Sequence, residues 1–388
     1  MNKRSWLDVF ADYPRPRGAT LEEVRRAIAL LDDRLQEHWN LGGNVFIAWS
    51  STARRTQVLA LPHYRLVEYA ASGAALTGPA RLGEGELEAL AGRLALKPLG
   101  IELPFVPDEA VGPELMGALV QRYGVAYTKD RPVMLVDVVD FSLYPAVEQV
   151  VLLQSLSHSL NSAFAKLAAR NIRAHFARST TGDGFYVWNR IRSLEGSVDL
   201  YRLMLLMLAD NAIAQRKAGA NVVPRLRAAF HVGPHYEFYQ SEGLSPTLAS
   251  YLVGEVTIAL ARMVTGAMPG QVLLGDFVAD VLESRTGRTL RLGTVDFVER
   301  MREAVWNLSG IPVAGEAVRE IRCYLTGPPA GDGAYAVNRY AVADKHGFRH
   351  PVFNAKINIH REAGDPIFLG MRNEDVRGLE LQATMPPP

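Results

Sequence analysis

Between Pro132 and Phe238 the chain alternates apolar strand-like runs with long helical patterns, and that order restricts the available folds more than any other feature. "PVMLVDVVDF" is a Val-rich buried-strand run, and "PAVEQVVLLQSLSHSLNSAFAKLAARN" is helical. "IRAHFARSTTGDGFYVWN" reads as strand, turn, strand. "SVDLYRLMLLMLADNAIAQRKAG" is helical again, and "RLRAAFHVGPHYEF" returns to strand. The order β-α-β-β-α-β is that of the ferredoxin-like split motif. A helix in "GEVTIALARMVTG" and a strand in "GQVLLGDF" carry the alternation past that minimal unit.

At 388 residues, two or three domains are expected. The fold class predicted is α+β: a ferredoxin-like βαββαβ core at 131–312, an α/β extension at 1–130 and a small β-rich domain at 313–388. The extension opens with "ATLEEVRRAIALLDDRLQEHWN", where Thr20 and Glu23 have capping-box spacing. Val24, Ile28, Leu31 and Leu35 repeat at helical, nearly heptad intervals, which reads as a helix on its own core or, less often, a dimer seam. "GGNVFIAWSS" and "TQVLALPHYRLVEY" are both strand-like. The carboxyl-terminal region is punctuated by Gly-Pro-Pro and short strand runs.

The bulk numbers exclude several function classes. A formal net charge of +1 gives no basic field for nucleic acid or an anionic membrane. A single cysteine, Cys323, forms no intramolecular disulfide and suits a reducing compartment. "MNKRSWLDVFADYPRPRG" lacks the apolar run of a signal peptide. The oiliest stretch, "LYRLMLLMLADNAIA", is interrupted by Arg202 and Asp210, so no membrane span is expected. A cytoplasmic protein is the resulting expectation.

Asp137 lies inside an apolar strand, where an unpaired charge is costly. In the split motif the first strand and the central hairpin are neighbours, so Asp137 and Asp183 of "TTGDGF" can meet at one edge. Adjacent carboxylates repel. A divalent cation resolves this, and hard oxygen ligands favour Mg²⁺ or Mn²⁺. Two such ions can clamp a triphosphate. Taken singly, each residue has a plainer reading: Asp137 ends a strand, and Asp183 decorates an Asp-Gly hairpin turn.

Four motifs in order, over about 131–280, resemble those of class III nucleotidyl cyclases. "VDVVDFS" is similar to their first metal motif and "TTGDGFYVW" to their second. "RLRAAFHVGPHY" resembles the strand that reads Arg-x-x-x-His-x-Gly. "YLVGEVTIALARMVTGAMPGQVLLGDF" resembles the segment with an Ala-x-Arg helix followed by Pro-Gly-Gln and a strand. The resemblance implies a head-to-tail homodimer with active sites at the interface and a nucleoside triphosphate as substrate. Asp137, the Val138 carbonyl and Asp183 would hold two divalent cations, and the backbone around Asp140, Phe141 and Ser142 would lie against the triphosphate. Arg262 falls on the arginine that reaches in from the other subunit to stabilise the charged phosphorus centre; its plainer reading is a helix-surface arginine.

The purine-recognition half departs from that pattern. Ser179 stands where purine cyclases have a base-reading lysine, and Tyr251 where they have a second base-reading residue, usually Asp. Ile258 occupies the transition-state asparagine position, and Ser309 that of the triphosphate lysine. Ser179 suits a pyrimidine edge, and bulky Tyr251 leaves room for a smaller ring. Arg178 either supplies charge to base or phosphate or faces solvent. "DKHGFRHPVFNAKINI" resembles the sensor domain attached to bacterial cyclases and antiphage nucleotide synthases; its His346 and His350 read as structural or solvated. Together these features resemble the pyrimidine cyclases of the Pycsar antiphage system, which implies UTP conversion to cyclic UMP, a second messenger for a separate effector. The alternatives are CTP conversion to cyclic CMP, a purine cyclase with an unusual base pocket, and a non-catalytic nucleotide-binding module.

Overall fold

Thr20 starts the first helix as its capping-box spacing predicts. The computed structural model describes residues 16, 18–71, 76, 78–172, 175–218, 222–241, 248–313, 315–331, 333–344 and 346–388. Most of the stretch inspected for a signal peptide lies outside them. The Thr20 hydroxyl accepts the Glu23 N–H at 3.3 Å, and the Glu23 carboxylate accepts the Thr20 N–H at 2.8 Å, capping α1 (Leu21–Trp39). The chain divides into two compact units. One comprises the residues up to Thr128 with His235–Val253, and the other Lys129–Pro234 with Gly254–Pro388.

In the first unit, β1 (Asn44–Thr52), β2 (Arg55–Pro62), α2 (Leu66–Ala71), β3 (Ala80–Arg81), α3 (Glu84–Leu94), β4 (Leu99–Glu102), α4 (Pro107–Ala110) and α5 (Pro113–Gln121) follow in order. The sheet runs β3-β1-β2-β4. A register shift between Phe46 and Ala48 re-aims β1. Phe46 and Trp49 therefore join Val24, Ile28, Leu31 and Leu35 of α1, while Ile47 and Ala48 meet Leu87 and Ala91 of α3. The apolar stripe of α1 is thus buried in its own unit rather than offered as a seam. The strand-like stretch after Thr56 is strand only to Pro62; a 3₁₀ turn at His63–Arg65 and α2 follow it.

The first unit also buries a charge. Arg122 Nη1 is 2.7 Å from Asp32 Oδ1, and the Tyr123 hydroxyl donates to the same oxygen at 2.6 Å. Burial pushes the Asp32 carboxyl above its ordinary value against the pull of Arg122 and Tyr123.

The rest of the chain supplies β5 (Val125–Val138), α6 (Ala146–Ala169), β6 (Phe176–Thr180), β7 (Gly184–Asn189), α7 (Leu194–Lys217) and β8 (Leu226–Ser241). Their spatial order is β8-β5-β7-β6, the fourth, first, third and second strands of the motif. The first strand is therefore central and lies beside the second arm of the hairpin. After β8 come β9 (Leu248–Val253), which pairs with Tyr236–Ser241 in the first unit, then α8 (Glu255–Gly266) and β10 (Val272–Gly275). β11 (Val278–Glu283), β12 (Arg288–Gly293) and α9 (Thr294–Ala304) follow.

The β-rich carboxyl-terminal part contains β13 (Pro312–Val313), β14 (Glu316–Leu325), β15 (Val337–Ala343), β16 (Arg349–Arg361), β17 (Ile367–Gly370) and β18 (Glu380–Met385). Its strands continue the core sheet: β10 pairs in parallel with β8 and antiparallel with β16, and β14 and β15 both pair with β16. Phe353, Ala355, Ile357 and Ile359 of β16 share one apolar cluster with β5, α6 and α7. α7 is buried along most of its length, and the charges interrupting its oily stretch are used locally. Arg202 pairs with Asp199 at 2.8 Å, and Asp210 pairs with Lys166 of α6. Among the described residues no helix is long and apolar enough to cross a membrane.

Asp32→Ala would leave Arg122 buried without its carboxylate. The expected loss is about 3–5 kcal/mol of folding free energy, read from chemical denaturation curves.

Candidate active site

Alternation along β5 sends Met134, Val136 and Val138 into the core shared with α6 and α7, and puts Leu135 and Asp137 on the other face. Gly184 of β7 stands opposite Asp137. The strands approach so closely there that a Cβ on Gly184 would lie 2.0 Å from the Val136 carbonyl oxygen; only glycine fits. Gly182, one residue before Asp183, turns with φ 100°. The tip is braced from within: Gly182 N–H donates to Thr180 Oγ1 and Thr181 Oγ1 to Asp183 Oδ1, both at 3.0 Å. The Val138 N–H donates to the Asp183 carbonyl at 3.0 Å. These constraints bring Asp137 and Asp183 together.

Asp137 is 6% exposed. Burial raises its pKa most; the hydrogen bond from Arg227 opposes this, and the charge and hydrogen bond of Asp183 add to it. Arg227 Nε lies 2.7 Å from Asp137 Oδ2. Sequence reading found Arg227 as a motif position without giving it a partner. Tyr186, two residues beyond Gly184, donates its hydroxyl to the Thr257 carbonyl at 3.0 Å. Burial, then the charges of Asp137 and Asp183, push that phenol up.

Two negative groups against one guanidinium leave an acidic remainder. The donors are hard oxygens: two carboxylates, with the Val138 carbonyl at the strand's end. Such a set fits Mg²⁺ or Mn²⁺. Among the described residues no cluster of three or more His, Cys, Asp or Glu side chains gathers for a metal.

Phe141 and Ser142 lie in a 3₁₀ turn, Phe141–Leu143, entered through Asp140 in a left-handed conformation (φ 58°). The Asp140 carboxylate pairs with Arg225 at 2.9 Å. Ser179 pairs with Tyr186, which pairs with Leu135, so Ser179 shares the face of Asp137. Arg178 does not. One residue earlier on the strand, it points to the helix side, where it donates to Ser157 of α6 at 3.2 Å and lies 5.3 Å from the Phe185 ring centroid. Strand alternation thus places Arg178 on the face opposite that of Asp137. Tyr251 belongs to the first unit, where its ring stacks on Phe238 at 5.7 Å. The Ser309 hydroxyl lies 3.4 Å from the Val318 and Arg319 carbonyls.

Arg262, on α8, forms an ion pair with Asp344 at 3.0 Å, and its Nη1 is 3.1 Å from His350 Nε2. Burial raises the Asp344 carboxyl, but the His346 N–H, His350, the Phe348 N–H and Arg262 together hold it below its ordinary value. A cleft of about 450 Å³ borders Arg262, His350, Ile258 and His231. Burial, and then the charge of His350, push the His231 imidazole down to about 4. Sequence reading missed Asp344 entirely and took His350 as structural or solvated.

No protein-family model matches the chain, and no curated protein matches it. Among solved structures, the adenylyl cyclase CyaB from P. aeruginosa is 11% identical with a TM-score of 0.34, covering 60% of this chain and 95% of that one. The guanylate cyclase domain of RhGC from Catenaria anguillulae, in complex with GTP, is 9% identical with a TM-score of 0.33, covering 61% and 98%. An adenylate cyclase from Trypanosoma brucei is 10% identical with a TM-score of 0.30, covering 59% and 88%. At such values the functional reading stands on the residues themselves.

The raised Asp137 pKa has a stability consequence. The folded state holds this proton more tightly than the unfolded chain, so ionisation above the ordinary value of 3.8 disfavours folding. Asp137→Asn is therefore expected to raise the Tm by a few degrees in metal-free buffer at neutral pH. The gain should fade as pH falls through the raised pKa to below 3.8, where both states are protonated. Thermal scans across pH check both parts.

Proposed function

We propose that the protein is a nucleotidyl cyclase of the class III type that converts UTP to 3′,5′-cyclic UMP and pyrophosphate. The observation that carries the reading is the meeting of Asp137 and Asp183 across the β5–β7 pair, at a point where only Gly184 permits the approach. The ordered motifs support it, because "VDVVDFS" and "TTGDGF" supply these two carboxylates.

In this reading Asp137, Asp183 and the Val138 carbonyl hold Mg²⁺ or Mn²⁺, which when bound supplies charge neutralisation for the triphosphate and lowers the pKa of the ribose 3′-hydroxyl. The chain's own residues do the rest. The turn at Asp140, Phe141 and Ser142 lies against the phosphates. The 3′-oxygen bonds to the α-phosphorus, its proton passes to solvent, and the bond to the bridging oxygen breaks as pyrophosphate leaves. Arg262, from a second copy in a head-to-tail homodimer, stabilises the charge that builds at phosphorus; guanidinium suits this because it stays ionised and donates in a fixed fork.

Ser179 sets the preference for a pyrimidine. Ser179 shares the Asp137 face, and its hydroxyl can donate to or accept from a pyrimidine edge. The product serves as a second messenger for a separate effector in antiphage defence, and the carboxyl-terminal strands act as the sensor-like part.

Incubating purified protein with each of the four nucleoside triphosphates and Mn²⁺, with products identified by mass spectrometry, tests this directly. Cyclic UMP should dominate, Asp137→Asn or Asp183→Asn should abolish it, and Arg262→Ala should lower kcat about 10²–10³-fold. Cyclic AMP or cyclic GMP as main product would overturn the pyrimidine assignment. Product retained in both Asp variants would overturn the cyclase assignment.

A further inference from the structure

Helix α8 carries Arg262 against the turn that joins β15 to β16. Gly266, four residues on, makes the approach close: a Cβ there would lie 2.5 Å from Val342 Cγ1 of β15. Asp344 closes the turn. Its Oδ1 accepts the N–H groups of His346 at 2.8 Å and Phe348 at 3.0 Å, and its own N–H donates to the Phe348 carbonyl at 3.0 Å. One carboxylate oxygen thus fixes the turn, and the other, Oδ2, faces Arg262 at 3.0 Å; the Asp344 side chain is 5% exposed.

His350, held on β16 opposite Val342, completes the arrangement. Its Nε2 is 3.1 Å from Arg262 Nη1. The same Nε2 lies 3.3 Å from Asp344 Oδ2, so the imidazole, the carboxylate and the guanidinium form one three-membered cluster. Asp344 and His350 converge on the same nitrogen, Nη1. The Arg262 side chain is still 33% exposed. A long side chain that otherwise samples many rotamers is gripped at one corner, with its opposite edge left to face a ligand.

We propose that Asp344 and His350 are positioning residues for Arg262, holding its guanidinium so that the Nε–Nη2 edge meets the phosphate of the nucleotide. This rests on the reading of Arg262 as the phosphate-stabilising arginine. It gives the carboxyl-terminal strands a part in the chemistry: the turn after β15 and the start of β16 build one half of the site, and β5 with β7 the other.

Steady-state kinetics on the full-length protein, with UTP and Mn²⁺, read the first consequence. Asp344→Asn keeps the size and the acceptor oxygen but removes the charge. It should lower kcat about 10–100-fold with little change in KM, because the grip matters when charge builds at phosphorus. His350→Phe should do the same, and His350→Gln, whose amide can accept from Arg262 and donate to Asp344, should recover most of the loss. A merely structural role would not split kcat from KM in this way.

Differently tagged subunits, purified as mixed dimers, read the second. Asp137→Asn paired with Asp344→Asn leaves one site with both halves intact and should restore roughly half of wild-type activity. Arg262→Ala paired with Asp344→Asn damages the same half of both sites and should show no more activity than the Asp344→Asn homodimer. Activity restored in that second pairing, or Asp344→Asn and His350→Phe with wild-type or raised kcat, would overturn the proposal while the cyclase reading stands. Wild-type protein that makes no cyclic nucleotide would overturn both.

Discussion

The contact on which the site depends is the approach of two backbones at Asp137 and Gly184. Like charges do not gather unless something else holds them. Here the apolar partners of Asp137 on the same strand, Val136 and Val138, are locked into the core by α6 and α7. The hairpin tip is fixed by its own hydroxyl bonds and by the Val138 N–H. Core packing supplies the force, glycine supplies the room, and Arg227 offsets part of the repulsion. The pair that results is acidic, with Asp137 buried, and its hard oxygens suit a divalent cation.

The sheet order makes this possible. With the strands arranged β8-β5-β7-β6, the first strand of the motif lies between the fourth and the third. Arg227 comes from the fourth and Asp183 from the turn before the third, so both flank Asp137 from neighbouring strands. Beyond the motif, β10 and β16 extend the same sheet and bring the carboxyl-terminal strands alongside α8. Arg262, Asp344 and His350 meet there because α8 packs close to β15 at Gly266.

Much of this was legible in the chain because local patterns encode it. The apolar runs and helical periods of 131–280 gave the element order, and an aspartate inside an apolar strand marked the site. Thr20 and Glu23 announced the start of α1. Other features were not local. The alternation that turns Arg178 toward Ser157 is readable only once the register with β7 is known. The Asp32–Arg122–Tyr123 group joins residues some ninety positions apart, with no motif between them. His350 looked like a loop residue until β16 paired with β15, and Asp344 carried no pattern at all. Pro62 ended a strand that hydrophobicity alone extended to Tyr69.

Asp137 and Asp183 are proposed to act together in holding the two divalent cations. Titration of the purified protein with Mn²⁺, followed by electron paramagnetic resonance of the free ion, measures this without reference to turnover. Wild-type protein should show saturable Mn²⁺ binding that is lost in Asp137→Asn and lost equally in Asp183→Asn. Saturable binding that survives either substitution would contradict it.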